Sequence, residues 1–501
     1  MIYRNNKFHF LALIAAFSSM LLLREYWFAS REGLHLDETL SFILASYKEY
    51  AWVKPFGTLT ELTGNQLREL TWFSDTTVQG MFRDVHSLWL DNRDKPHSNV
   101  YYTALRVWFT GINSHGDIGF TSSWAFCLNK IFFAISFFAI YKLASKVFES
   151  KWIALMVVFV SFINTASISN SIFLRPYQLQ EAIVSLYLLS SFLLLKEKPS
   201  FRFLISHSII TAFTVLSGYF AVFLVALISI AILPYLIAKY WDDWKFASWF
   251  AVKYIALTSV ISYAIYPPYF FAYGGRQDEA YSKLGDVGDN IISSMGSLSM
   301  LNDYFPAGLI ITILAALVAL VLFIKQRKFL PETHYYIAAL SFVTLLWIVI
   351  VQFFSPYKNL PRYIYPVLPV IGLFYGYVIY LMKGRFQFIY QAKVSLAFLV
   401  MLAATMTYVN GPDVENINRN RHVECDKIPD GSVIYAKTPW KLANILTCLK
   451  GNVKYGLSGK IHIDMSKSKG YKYILSDEKM NDPRVKDEGI NVMYFEVNSI
   501  K

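Results

Sequence analysis

Two adjacent carboxylates, Asp37 and Glu38, stand in the stretch Gly33-Leu34-His35-Leu36-Asp37-Glu38-Thr39, just beyond the first long apolar segment of a 501-residue chain. A carboxylate pair at the mouth of a membrane helix is suited to proton transfer, with one acid taking the proton and its neighbour assisting or orienting it. The competing role is that of solvated charges flanking a span. Arginines mark two further places, Arg175 in Leu174-Arg175-Pro176-Tyr177 and Arg362 in Asn359-Leu360-Pro361-Arg362-Tyr363. A guanidinium presents planar paired donors that match phosphate oxygens, and Tyr177, Lys358 and Tyr363 lie beside these arginines in sequence. Snorkelling to lipid headgroups is the ordinary alternative for an arginine at a span end. Glu181, one turn beyond Tyr177 on the same helix face, calls for a basic partner or a wet cavity at that depth.

The elements that must position these residues are membrane helices. With 55% hydrophobic and 17% aromatic residues and a mean hydropathy of +0.37, the chain uses lipid as its solvent. Apolar stretches near the length needed to cross a bilayer fall at 8–28, 119–141, 152–171, 177–195, 203–217, 219–238, 246–267, 304–324, 335–354, 363–382 and 394–410, eleven in all. Alternate connections hold the basic residues, among them Lys142, Lys146, Lys196, Lys198, Lys325, Arg327, Lys383 and Arg385. Their excess over the acids in the same connections equals the +12 net charge of the whole chain. The charge is therefore a topology signal, with the amino terminus cytoplasmic and the carboxyl terminus outside, and nucleic-acid binding is a poor explanation for it. The first span runs into Arg24-Glu25-Tyr26-Trp27 without a clear small-residue cleavage site. It reads as a retained anchor with Tyr26 and Trp27 in the interfacial belt.

Residues 29–118 form a long outer loop, too polar for lipid, whose interleaved aromatics argue against disorder. Composition changes again from Gly411-Pro412 onward. There Ser432-Val433-Ile434-Tyr435 and Tyr471-Lys472-Tyr473-Ile474-Leu475 read as strands, and Trp440 to Leu449 as a helix. The expected fold is thus an α-helical polytopic membrane protein of about eleven spans with a small extracytoplasmic α/β domain. Its division is 1–410, including the loop, and 411–501. Cys425 and Cys448 both lie in the exported tail, where two cysteines can form a disulfide. No zinc pattern and no glycine-rich phosphate loop is visible.

Taken in order, these motifs resemble the integral-membrane C-type glycosyltransferases, in particular bacterial members related to protein O-mannosyltransferases. Asp37-Glu38 after the first span is followed by Asp94-Lys95-Pro96-His97-Ser98-Asn99-Val100-Tyr101-Tyr102, where the family often reads His-Pro-Pro-Leu-Tyr-Tyr; here the tyrosine pair matches and the His-Pro-Pro order does not. Leu174-Arg175-Pro176-Tyr177 is similar to the family's Arg-Pro-Tyr, and Pro361-Arg362-Tyr363 with Pro366 and Pro369 to its late Arg-Tyr element. The chain departs at Phe173, where a glutamate is common, and at Ser217-Gly218-Tyr219, where a histidine is common.

The resemblance implies a polyprenyl-phosphate sugar as donor, transferred outside the membrane to a hydroxyl of a cell-envelope glycan, lipopolysaccharide, lipid or protein. The spans and the outward soluble tail suit a bacterial inner membrane, with a eukaryotic endoplasmic reticulum as the alternative. Phosphate leaves without acid help, so the protein has chiefly to activate the acceptor hydroxyl and hold the developing phosphate charge. Asp37 is then the base with Glu38 beside it, and attack opposite the phosphate inverts the anomeric centre. Arg175, Tyr177, Lys358, Arg362 and Tyr363 become the donor-phosphate site, and His97, Tyr101 and Tyr102 the acceptor and sugar loop. Asp84, Asp91 and Asp94 are the reserve acids. No cofactor is expected, with a divalent metal ion left open. A transporter or flippase of lipid-linked sugars is the alternative, which would favour repeated halves with broken helices.

Overall fold

In the computed structural model the described residues are 2–47, 59–91, 99–218, 221–271, 312–314, 316–317, 332–351, 361–382, 414–437, 439–458, 470–480 and 482–500. Their helices, in chain order, are α1 (Ile2–Ala29), α2 (Leu36–Ala45), α3 (Gly64–Thr71), α4 (Val78–Asp91), α5 (Asn99–Trp108), α6 (Ile118–Phe148), α7 (Lys151–Phe162) and α8 (Thr165–Ile172). They continue as α9 (Tyr177–Lys196), α10 (Phe201–Leu216), α11 (Ala221–Lys239), α12 (Trp244–Ile265), α13 (Glu332–Val349), α14 (Pro369–Met382), α15 (Arg421–Cys425) and α16 (Pro439–Ile445). The strands are β1 (Thr60–Thr63), β2 (Val433–Tyr435), β3 (Lys454–Ser458), β4 (Tyr473–Ser476), β5 (Val485–Val492) and β6 (Phe495–Ile500).

Two compact units result. The first contains Met1–Trp27 and Asn129–Glu415, and the second Phe28–Asn92, Asn99–Leu128 and Asn416–Lys501.

Among the described residues six helices are long and apolar enough to cross a bilayer, and the bent pair α7/α8 makes a seventh span if counted as one. The protein is thus an integral membrane protein. Of the eleven spans expected from sequence, 394–410 and most of 304–324 lie outside the described residues. The stretch 152–171, expected as one straight span, is broken by 67° between α7 and α8. Asn164 is the local cause. Its side-chain oxygen accepts from the Ser167 N–H at 2.8 Å while its amide donates to the Ser161 carbonyl at 2.8 Å, so it caps a new helix instead of continuing the old one. The next break falls at Arg175 because the residue before a proline is driven out of helical geometry, and Pro176 then opens α9.

The core of this unit is aromatic-rich and includes Phe133, Phe137, Phe162, Tyr177, Tyr336, Trp347 and Tyr365. α14 lies close against α7, since a Cβ on Gly372 would fall 2.0 Å from Ser161 Oγ and 2.7 Å from the Val157 carbonyl. Only a glycine admits that approach.

The second unit is built on a six-stranded sheet in the order β1-β3-β2-β4-β6-β5. β2 runs parallel to β3 and β4, and the remaining pairings are antiparallel. β1 comes from the 29–118 loop and pairs with β3 of the tail, Thr60 opposite Leu457 and Thr63 opposite Lys454. Loop and tail therefore fold together, which shifts the division from 1–410 and 411–501: the loop belongs with the tail strands. Arg68 strengthens this join. Buried at 2% exposure, it donates to the carbonyls of Gly116, Leu446 and Leu449 at 2.7–2.8 Å and to Asn65 Oδ1 at 2.6 Å. Burial pulls its guanidinium down to about 10, against the opposing attraction of Asp117. A disulfide joins Cys425 at the end of α15 to Cys448 just after α16.

Candidate active site

The carboxylate pair lies in the second unit, at the start of α2. His35 caps this helix: its ring Nδ1 accepts from the Asp37 N–H at 3.1 Å, and Glu38 Oε2 accepts from the His35 N–H at 2.7 Å. This reciprocal pattern is a capping box with histidine in place of the usual serine or threonine. Glu38 is fully buried and ion-paired with Arg31, itself only 5% exposed. Asp37, the adjacent acid, keeps 22% of its side chain exposed, with Oδ2 4.0 Å from His35 Nδ1. The two acids are thus unequal, because Glu38 is committed to the helix start and to Arg31 while Asp37 reaches solvent.

Backbone contacts from the tail hold this turn. The Glu32 N–H donates to the Ile417 carbonyl at 2.9 Å, Arg31 Nε to the Asn416 carbonyl at 3.1 Å, and Asn418 Nδ2 to the Gly33 carbonyl at 2.9 Å. Gly33 has φ +152°, and a Cβ there would sit 2.9 Å from Arg421 Cγ. Glycine is required at this position on both counts.

Other acids and aromatics of the loop have different surroundings. Asp84 is buried in an ion pair with Arg106 Nε at 2.8 Å, and Arg83 binds its second oxygen at 3.1 Å. It ties α4 to α5 and is poorly placed to receive a substrate proton. Tyr101 and Tyr102, expected to face a sugar, are buried at 0% and 1% exposure and meet edge to face at 5.8 Å. The reason is the amphipathicity of α5, whose buried face also carries Leu105 and Arg106, so these rings pack the unit instead of offering an open face. His97, Lys358 and Asp94 lie outside the described residues, as does the side chain of Asp91.

The arginine elements lie in the first unit. Arg175 sits in the turn between α8 and α9 and is 8% exposed, with its N–H donating to the Phe173 carbonyl at 2.8 Å. Tyr177 stacks on Phe173 at 6.0 Å and meets Tyr363 edge to face at 6.0 Å. The Arg362 guanidinium stands over both phenol rings, 5.8 Å from Tyr177 and 5.5 Å from Tyr363. Tyr177, the first residue of the helix that Arg175-Pro176 opens, thus meets Arg362 and Tyr363 from far along the chain. Ring faces steady a guanidinium through its π face, and the planar donors of an arginine match phosphate oxygens.

Sequence reasoning passed over Glu415. Its N–H donates to Ser169 Oγ and its carboxylate accepts from the Tyr365 hydroxyl, both at 2.9 Å. No motif marks it, since it falls in a polar stretch after the last apolar segment. Among the described residues no three His, Cys, Asp or Glu side chains converge into a metal site.

No protein-family profile and no curated protein matches this chain in sequence. Among solved structures its fold resembles that of ArnT from Cupriavidus metallidurans, whose crystal structure was determined bound to undecaprenyl phosphate. The match has a TM-score of 0.52 and covers 97% of each chain at 11% identity. At that identity the likeness is one of fold, and it runs the whole length of both proteins.

Proposed function

We propose that this chain is a membrane glycosyltransferase of the C type that moves a sugar from a polyprenyl phosphate to an acceptor hydroxyl. The observation that carries the reading is the end-to-end fold shared with ArnT, a protein crystallised with a polyprenyl phosphate. Two features of the chain itself agree with it. Arg362, standing over the rings of Tyr177 and Tyr363, suits a phosphate, and of two adjacent acids one is fixed and the other reaches solvent.

In this reaction Asp37 accepts the proton of the acceptor hydroxyl as its oxygen bonds the anomeric carbon. The bond from that carbon to the phosphate oxygen breaks, and the polyprenyl phosphate leaves with the electron pair. Arg175 and Arg362, with Tyr177, hold the phosphate before and after the bond breaks. Glu38 orients Asp37 through the helix start, and attack from the side opposite the phosphate inverts the anomeric centre.

The basic residues of alternate connections support a site on the outer face, with the amino terminus inside and the tail outside. A bacterial inner membrane suits that arrangement, and the acceptor is an envelope glycan, lipopolysaccharide, lipid or protein. The ordered motifs support a relation to the bacterial relatives of protein O-mannosyltransferases. A polyprenyl-phosphate sugar labelled in the sugar tests the proposal in purified, lipid-embedded protein. Label appearing on a second molecule supports a transferase. The broken pair α7/α8 also suits a transporter of lipid-linked sugars, and label that changes leaflet while staying on its carrier would establish that reading instead.

A further inference from the structure

The turn that carries Arg175 is held by a hydrogen-bond network that begins on a different helix. Arg24, near the end of α1 and fully buried, donates to the Phe162 carbonyl at 3.0 Å and to Ser167 Oγ at 2.8 Å, at the start of α8. The same guanidinium donates through Nε to Ser171 Oγ at 2.8 Å, at the end of α8. One side chain thus grips both ends of this eight-residue helix.

From Ser171 the network crosses the turn. Ser171 Oγ bonds Gln178 Oε1 at 2.6 Å, Gln178 Nε2 donates to Glu181 Oε1 at 2.9 Å, and Asn170 Nδ2 donates to Glu181 Oε2 at 3.0 Å. Asn129 on α6 donates to the Ser171 and Phe173 carbonyls at 3.0 Å each. The Phe173 carbonyl is the one that also accepts from the Arg175 N–H. Residues on both sides of Phe173-Leu174-Arg175-Pro176 are therefore fastened to one another and to α1 and α6.

A broken helix inside a bilayer leaves backbone groups that lipid cannot satisfy, and here an arginine and an asparagine satisfy them. Placing Arg24 and Glu181 in one buried network keeps its charge balanced, which the membrane interior demands. A straight span would be cheaper to build. The break has a use only if the turn it creates does, and that turn presents Arg175.

We propose that Arg24, Asn129 and Glu181 are positioning residues for Arg175, fixing its guanidinium for the phosphate of the polyprenyl donor through the Ser171–Gln178 bridge. This rests on the phosphate role proposed for Arg175 above. The consequence is a coupling: changes in the network act on donor binding through Arg175 and lose most of their effect when Arg175 is gone.

The experiment is a double-mutant cycle on the full chain in lipid nanodiscs, reading the Kd for undecaprenyl phosphate by titration. R24Q, and separately S171A as the milder variant that removes only the bridging hydroxyl, are measured with Arg175 present and in the R175A background. The expected result is about a 10-fold weakening by R24Q with Arg175 present, equal to about 1.4 kcal/mol, and less than a twofold change in R175A. S171A gives a smaller effect with the same dependence, and it stands alone if R24Q does not fold. Equal weakening in both backgrounds overturns the proposal and leaves the network a purely structural brace. If R175A itself leaves Kd unchanged, the phosphate role of Arg175 falls, and this proposal with it.

Discussion

The carboxylate pair makes a prediction in which neighbouring substitutions do opposite things. In E38Q the buried ion pair with Arg31 loses its negative partner, while Arg31 stays only 5% exposed. Removing one partner of a buried pair costs roughly 3–5 kcal/mol. Glutamine retains a carbonyl oxygen to accept from the His35 N–H, which places the expected loss at about 3 kcal/mol. In D37N the changed side chain is partly exposed, so stability should move by no more than about 0.5 kcal/mol. Its effect is kinetic. Loss of a positioned general base slows transfer by about 10²-fold or more, and each factor of ten corresponds to about 1.36 kcal/mol in the barrier. Both variants go through a thermal melt in nanodiscs with limited proteolysis of the 29–118 and tail region, then single-turnover transfer at saturating donor. D37N should melt like the parent and turn over slowly. E38Q should melt early and, below its transition, retain more activity than D37N. A normal rate in D37N refutes the assignment of the base. A parent-like melt and a rate about 10²-fold slower in E38Q, with D37N melting early and keeping more activity, would show that the two roles are reversed.

Three further outcomes follow from the same geometry. R362A should weaken polyprenyl-phosphate binding and slow transfer, with R362K restoring only part, because lysine lacks the planar fork backed by Tyr177 and Tyr363; titration of donor against each variant decides this. Reduction of the Cys425–Cys448 bridge, which spans 23 positions of sequence, should destabilise the second unit by about 3 kcal/mol on the chain-entropy account, read as a lower melting temperature with reductant that C425A/C448A reproduces without it. G33A brings a Cβ against Arg421 in a backbone geometry that favours glycine, at a cost of about 1–3 kcal/mol, and should lower the transfer rate while leaving Kd for undecaprenyl phosphate unchanged.

Much of this was legible in the chain because lipid imposes simple rules. Apolar length gave the positions of α1, α6, α9, α11, α12 and α13 to within a few residues at most ends, and Arg-Pro set the boundary before α9. The Asp37-Glu38 pair and the arginines stood out because charge at a span end is costly unless it is used. What stayed hidden was set by tertiary contact. β1, with sequence Thr-Glu-Leu-Thr, has too few apolar residues to read as a strand. It is extended because β3 offers an edge for it to pair with. The tyrosines of α5 read as surface aromatics in a polar loop, but the loop has a core of its own, which they fill.

Arg24 shows most clearly why local reading stops short. In sequence it is a flanking charge beside Tyr26 and Trp27, the usual dress of a helix leaving the membrane. Two residues 138 and 147 positions away convert it into a brace: the Phe162 carbonyl, exposed by the break that Asn164 causes, and the hydroxyl of Ser171. Neither is visible from the neighbourhood of Arg24, and the apolar run 152–171 gives no hint that its backbone will open. The charge on Glu181 points the same way from the other side, since an acid at that depth needs a partner. Once the break is known, the positions of Arg24 and Glu181 cease to be separate puzzles: each supplies what the other lacks, and the turn between α8 and α9 is what they hold in place.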